Sequence, residues 1–376
     1  MKKILKNNGV QSLIASLICI ILGMFIGYIV LLIINPEGAW EAIVAVMKNF
    51  GNYSKSALKI KNFGNTLVKT APLLMCALSV LFAYKVGLFN IGAAGQYTIG
   101  ICASLFAAIS LGWSWLPCML VAVAAGAFYG MIVGILKAYR NVNEVISGIM
   151  LNWIGLYLTD MLLAKVQEVA SPYTLHLKDA NPNAIMPFGG LDKLFPGNTY
   201  VSIAIPLSIL IAVIIEIVLS KTKFGYELKA TGNNKNAAKY CGMAEKRNLI
   251  ITLVISGALA GLGAAMLYLT DYEQWAVTTT AVPGMGFNGI AATFLGGLNP
   301  IGTIFASYFI QHITSGGAYV DKTMYCSQIS DLISSLIIYL CGFVLFIKYA
   351  INTGLAKSDE RAKTKKSATA MKGGNE

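Results

Sequence analysis

Asn90 and Gln96 stand on either side of a glycine-rich stretch, LFNIGAAGQYTIG, Leu88 to Gly100, that is set between apolar runs. A neutral amide both donates and accepts hydrogen bonds, which suits an uncharged polar ligand whose water contacts must be replaced. Gly87, Gly92 and Gly95 permit a sharp reversal of the chain. Backbone groups released by such a break in lipid must find partners inside protein or face a cavity. On that reading the stretch is a re-entrant break whose amides line a path, as polar groups do at the discontinuous helices of transporters. A plain cytoplasmic turn with a helix-capping Asn fits the same residues, and residue types alone do not choose between the two.

Other chemistries find little support. His176 and His312 are the only histidines and no HExxH occurs, so a zinc hydrolase lacks its ligands. Gly284, Gly286 and Gly289 match GxGxxG, but no strand precedes them and no ribose-binding acid follows in a βαβ unit. No GxxxxGK[ST] loop is present, so the chain cannot hydrolyse ATP by itself in the usual way and energy must come from elsewhere. Glu144, Asp160, Glu216 and Asp271 fall near the ends of apolar runs, which leaves a proton-driven carrier short of deep acids. Seven cysteines, five of them (Cys19, Cys76, Cys102, Cys118 and Cys341) inside apolar runs without CxxC spacing, argue against a disulfide framework. No paired acids, activated serine or metal set suggests an intramembrane protease or lipid transferase.

The elements that must position the amides are membrane helices. Of the 376 residues 56% are hydrophobic and 12% charged, which places the chain in the membrane class. Apolar runs such as Leu13 to Ile34 and Tyr200 to Leu219 have the length of a spanning helix. The first run is too long for a signal peptide and lacks a small-residue cleavage site, so it is read as a retained span. The net charge of +12 resides at the ends of the runs. Lys2, Lys3 and Lys6, then Lys137 and Arg140, then the set from Lys221 to Arg247 mark cytoplasmic segments rather than a nucleic-acid surface. Threading between these anchors predicts an all-α polytopic protein of about ten transmembrane helices, some broken or re-entrant, with both termini cytoplasmic. The spans fall near 12–34, 66–84, 96–112, 116–136, 145–163, 200–219, 248–270, 285–297, 301–313 and 328–347. Lys48, Lys55, Lys59 and Lys61 lie on the outer side of this map, against the usual bias. A transmembrane domain would thus occupy 1–347, and the basic tail 348–376, without hydrophobic period, is expected to be disordered and weakly drawn to anionic lipid.

Three further stretches carry information. Around Gly296, Gly297, Asn299 and Pro300, two short apolar helices meet at a hinge-like turn. Glycines at GxxxG spacing, Gly23 and Gly27, Gly126, Gly130 and Gly134, and Gly257 and Gly261, read as helix-packing contacts. The polar interval Lys221 to Asn248 has a structure of its own: Asn233 or Asn234 can cap a short helix through Tyr240, Gly242 can end it, and Ala237 and Ala238 leave a small-residue face. Phe224, Tyr226 and Tyr240 would serve little purpose in a merely solvating loop, which favours a partner-binding loop over 221–248.

LFNIGAAGQ, NEVISGIMLNWI (Asn143 to Ile154), TKFGYELKATGNNKNAAKYCGM and GFNGIAATFLGGLNP together resemble the inner-membrane permeases of ABC importers in the sugar and nucleoside branch. The likeness covers most of the chain. NIGxxGQ and the GAWEAI segment look like the longer permease of nucleoside importers that use a basic-membrane-protein-type lipoprotein receptor. The resemblance implies a multi-pass protein of the bacterial inner membrane with three partners: a second, paralogous permease, a cytoplasmic ATPase with tandem nucleotide-binding domains, and an extracellular substrate-binding lipoprotein. ATP and Mg would bind the ATPase, and no cofactor this chain. Phe224, Gly225, Asn233, Ala237, Ala238, Tyr240 and Gly242 would couple to the ATPase, and the outer segments 35–64 and 164–198 would meet the receptor. Asn90, Gln96, Asn152, Asn288 and Asn299 are the candidates for the substrate path, while Asn143 and Glu144 fit a helix start as well as a path role. The family's usual acids in NIGxEGQ and GFD are Ala94 and Asn288 here, which fits a neutral substrate. Nucleosides are the leading substrate. A simple-sugar permease is the alternative within the class, and a secondary carrier or channel, needing no ATPase, the alternative outside it.

Overall fold

A computed structural model describes residues 8–326, 328–344, 346–350, 352 and 353. Lys2, Lys3, Lys6 and the tail beyond 353 lie outside them. Among the described residues the structure is helical, with only isolated antiparallel bridges, Gln167 to Thr174 and Tyr173 to Ala276, in place of a sheet.

In chain order the helices used below are α1 (Asn8–Ile34), α2 (Ala39–Lys48), α3 (Ser56–Lys85), α4 (Ala93–Ile109), α5 (Trp115–Arg140), α6 (Glu144–Leu163), α7 (Ala204–Lys221), α8 (Lys223–Asn233), α9 (Lys235–Tyr240), α10 (Glu245–Tyr268), α11 (Gly284–Leu295), α12 (Pro300–Gly316) and α13 (Ile329–Cys341). Six of them, α1, α3, α5, α6, α7 and α10, are long and apolar enough to cross a membrane, which makes this a multi-pass membrane protein. The other expected crossings fall on shorter helices: α4, α11, α12 and α13 have 17, 12, 17 and 13 residues. A helix the length of α11 rises about 18 Å, well short of a hydrocarbon layer of about 30 Å. α11 and α12 pack on each other as a hairpin. α3 starts well before the expected 66, because its first turns, with Lys59 and Lys61, extend the helix beyond its apolar run.

α3 is the axis of the fold. From Ala71 to Ala83 every residue is buried, as expected of a helix apolar on all sides, and α4, α10, α11 and α12 pack around it. α5 lies along α10 through facing small residues. Gly126 and Gly130 meet Gly257 and the Leu253 carbonyl, Gly261 meets Ala122, and a Cβ on Gly134 would stand 3.0 Å from the Ile250 Cα. Lipid supplies no hydrophobic drive for helices to associate, so such backbone-to-backbone proximity carries the packing. On α1, Gly23 lies against the backbone and side chain of Ile337 and Gly27 against the side chain of Ile333, both of α13.

The two ends of the bundle differ. One is basic: the end of α3, the end of α5, α8, α9 and the start of α10 surround a groove that includes Lys137, Lys235 and Lys246. At the other, 164–198 is tied down by buried amides. Asn181 donates to the Ala108 and Trp113 carbonyls (2.9 and 2.8 Å), and Asn198 to the Lys61 carbonyl (2.7 Å).

Replacing Gly257 by Val should drive a side chain into the α5 backbone and lower stability by about 1–3 kcal/mol or prevent folding. Gly284→Ala, where the added carbon meets nothing within 4 Å, should leave it unchanged. Thermal unfolding in detergent compares the two.

Candidate translocation site

α3 ends at Lys85, and Gly87 takes a left-handed conformation (φ 77°) as the chain passes over α8. A Cβ there would stand 2.8 Å from the Gly232 carbonyl oxygen. The chain then doubles back along α3 without helical structure. Leu88 N–H donates to the Ala83 carbonyl (3.0 Å). Asn90 Nδ2 donates to Ser79 Oγ (3.0 Å) and Gln96 Oε1 (2.8 Å), and Gln96 Nε2 donates to Asn90 Oδ1 (3.3 Å). From α6, Asn152 clamps both sides of the break: its Oδ1 accepts from Gly95 N–H (2.7 Å) and its Nδ2 donates to the Ile91 carbonyl (3.1 Å). Asn90, Gln96 and Asn152 are at most 3% exposed. In this conformation they hold the backbone where the helix ladder is missing.

The other two amides are placed differently. α11 lies against the break, with Gly286 on Ala94 and Gly289 on Cys76, and Thr293 Oγ1 donates to the Ala77 carbonyl (2.7 Å). Asn288 is half-buried on this helix and makes no side-chain hydrogen bond to another described residue. Ala94 is fully buried against Gly286, where a Cβ on the glycine would stand 2.4 Å from the Ala94 Cα. Asn299 shares no hydrogen bond with the cluster. It caps α12, its Oδ1 accepting from the N–H groups of Ile301 and Gly302 (3.0 Å each). Asn143 caps α6 through Val145 N–H (2.8 Å), and Glu144 pairs with Lys137 of α5 (2.7 Å). Both residues thus serve the helix start.

In the 221–248 loop Asn234, rather than Asn233, caps α9, accepting from the N–H groups of Asn236 and Ala237 (3.1 and 3.0 Å). Gly242, at φ 79°, ends it. Asn233, Ala237 and Tyr240 are exposed, Tyr240 at 93%. Ala238 points into its own chain at 3%, Phe224 is half-buried against the core, and Gly225 lies on the Val218 and Leu219 backbone. The outward face of the loop is therefore narrower than the sequence suggests. Asn248 Nδ2 donates to Thr231 Oγ1 (2.9 Å), tying α8 to α10.

Residues 62–342 match the family described as "Branched-chain amino acid transport system / permease component". The chain belongs to this permease family. It is 32% identical to the nucleoside ABC transporter permease protein NupB of Lactococcus lactis subsp. cremoris, over 94% of this chain and 95% of that protein. The guanosine ABC transporter permease protein NupP of Bacillus subtilis is 31% identical over 91% of this chain and 96% of its own length. The glucose ABC transporter permease protein TsgB13 of Haloferax volcanii is 28% identical over 77% and 79%. No solved structure matches the permease significantly.

One charged group in the permease escapes sequence reasoning. Lys69 belongs to α3, inside the expected 66–84 span, and pairs with Glu273 beyond the end of α10 at 2.7 Å, with side chains 30% and 36% exposed. Its ammonium stands 5.2 Å from the centre of the Tyr272 ring, which meets Tyr200 edge-on. Burial pushes the Tyr272 phenol above its ordinary range, so it stays a neutral donor at neutral pH. A lone lysine within an apolar run is the signal that could have found the pair.

Asn152→Leu leaves the Gly95 N–H and the Ile91 carbonyl without partners and should lower the permease's stability by about 1–3 kcal/mol. Asn288→Ala should not. Thermal unfolding of the two purified variants checks both.

Proposed function

We propose that this permease is the transmembrane subunit of an ATP-driven ABC importer that takes up nucleosides. The observation that carries the reading is the near full-length similarity to the two permeases named for nucleosides and for guanosine, at 32% and 31% identity, against 28% for the glucose permease.

In this reading the chain crosses the bacterial inner membrane about ten times with both termini cytoplasmic. It pairs with a second, paralogous permease. A cytoplasmic ATPase with tandem nucleotide-binding domains binds ATP and Mg and docks on the exposed face of α8 and α9, at Asn233, Ala237 and Tyr240. A substrate-binding lipoprotein delivers the nucleoside to 35–64 and 164–198. The break between α3 and α4 joins the two tasks, because Gly87 touches Gly232 of the docking loop while Asn90, Gln96 and Asn152 hold the buried side. Movement of α8 would be felt at the amide cluster. Asn288, with its hydrogen-bonding capacity open, is the first amide a neutral base or ribose would meet, and Asn90 and Gln96 follow once their mutual bonds exchange for substrate.

Uptake of labelled nucleosides by cells with and without this chain tests the substrate, and uptake of sugars alone would replace the nucleoside reading. Asn288→Ala should slow nucleoside uptake about five- to 150-fold, the equivalent of 1–3 kcal/mol, with the assembled complex recovered intact. Ala237→Trp should reduce recovery of the ATPase in pull-downs while membrane insertion persists. Normal uptake with Trp at 237 would rule out docking there.

A further inference from the structure

At the end opposite the basic one, residues 271–275 lie between α10 and α11 and are fastened at three points. Asp271, buried and in a left-handed conformation (φ 59°), accepts from Leu177 N–H (2.9 Å) and has His176 Nδ1 at 3.3 Å and Lys178 Nζ at 3.7 Å. Trp275, also buried, donates from its indole nitrogen to Asp160 of α6 (2.8 Å) and shares two hydrogen bonds with Thr174 through its backbone. Glu273 holds Lys69 of α3 at 2.7 Å, and here both side chains are partly exposed. An ion pair open to water is worth little more than thermal energy, so this fastening can break and re-form while the two buried anchors stay.

We propose that Lys69 is the moving part of an outer switch, paired with Glu273 in the present conformation and with Asp331 of α13 in the alternative one. The switch presupposes the transport reading above. Asp331, in the first turn of α13, lies within electrostatic reach of Lys69. Its carboxylate makes no salt bridge and no side-chain hydrogen bond among the described residues, although its backbone carbonyl accepts from the Ser335 hydroxyl (2.7 Å). A stationary bridge accounts for Glu273 and leaves this free carboxylate without a role. The two acids also belong to different parts of the molecule. Glu273 is tied through its neighbours to 174–178 and α6, whereas α13 packs on α1, α11 and α12. Tyr272 offers the ammonium a resting place between them. Its ring centre stands 5.2 Å from Lys69 Nζ, and an aromatic face keeps part of the attraction when one carboxylate leaves. Tyr200 braces Tyr272 edge-on and carries Lys178 over its own ring at 4.7 Å. Lys69 thus has two alternative partners on separate elements, the arrangement a small bias can redistribute. It shares α3 with the break that touches α8, so the switch and the docking loop are joined by one helix.

The test uses the full chain co-expressed with its transport partners, with the exposed Cys241 and Cys326 replaced by Ser. A short bifunctional methanethiosulfonate should link the Lys69→Cys, Glu273→Cys pair in the resting complex. After trapping with ATP and vanadate that link should weaken, and the Lys69→Cys, Asp331→Cys pair should link about threefold more. Yields that trapping leaves unchanged in a complex that hydrolyses ATP would overturn the switch alone. A complex without ATP hydrolysis would remove the importer reading and the switch with it. In the unlinked protein Asp331→Asn should leave the unfolding temperature unchanged and slow uptake about threefold. Exchanging the charges, Lys69→Glu with Glu273→Lys, should recover the unfolding temperature lost in Glu273→Gln, yet uptake should return only when Asp331→Lys is added. Full uptake in Asp331→Asn, or in the exchanged pair without the third change, would reduce Lys69 and Glu273 to a stationary bridge.

Discussion

Buried backbone that leaves a helix must find its hydrogen bonds inside the protein, and the segment from Val86 to Gly92 meets that demand with side-chain amides. Asn152 reaches across from α6 to bond one group on each side of the break, and Asn90 and Gln96 bond each other and Ser79. The other helices are arranged so that these bonds can form. α6 must come close enough for the Asn152 backbone to stand 2.7 Å from where a Gly95 Cβ would be. α3 must continue past Ser79 to offer its hydroxyl.

Small residues make this closeness affordable in steric terms. Glycine on glycine brings α5 to α10, and Gly286 and Gly289 bring α11 onto Ala94 and α3. Each contact trades side-chain volume for backbone proximity, and each leaves little tolerance for a Cβ. The same economy shapes the break: α11 presses Gly286 on Ala94, and among the described residues the Asn288 amide beside that contact makes no side-chain hydrogen bond.

The two ends answer to water rather than lipid. At the basic end the loop carrying α8 and α9 is folded by its own caps, Thr222 and Asn234, and joined to the bundle by Asn248. At the opposite end Asn181, Asn198 and the Lys69–Glu273 pair bind the irregular segments to the helices.

Composition and periodicity were enough to establish a helical membrane protein, the glycine contacts of α5, α10 and α1, and the existence of a structured polar loop, because helix length in lipid, close packing and capping are local properties of residue type and spacing. The chain's family was legible for the same reason, in short contiguous motifs. Where the amides point was not. Nothing in LFNIGAAGQ says that Asn152 of α6 will bond both sides of it, and Asn90 and Gln96 look alike in sequence to Asn288, although among the described residues only the last of them has no side-chain hydrogen bond. Ala237 and Ala238 are adjacent and identical, yet one faces out and the other in, since the docking of α9 on α10 chooses the face. Lys69 gained its meaning from Glu273, a partner distant in the chain. Partner choice among distant polar groups depends on how whole helices pack, and that is decided only in three dimensions.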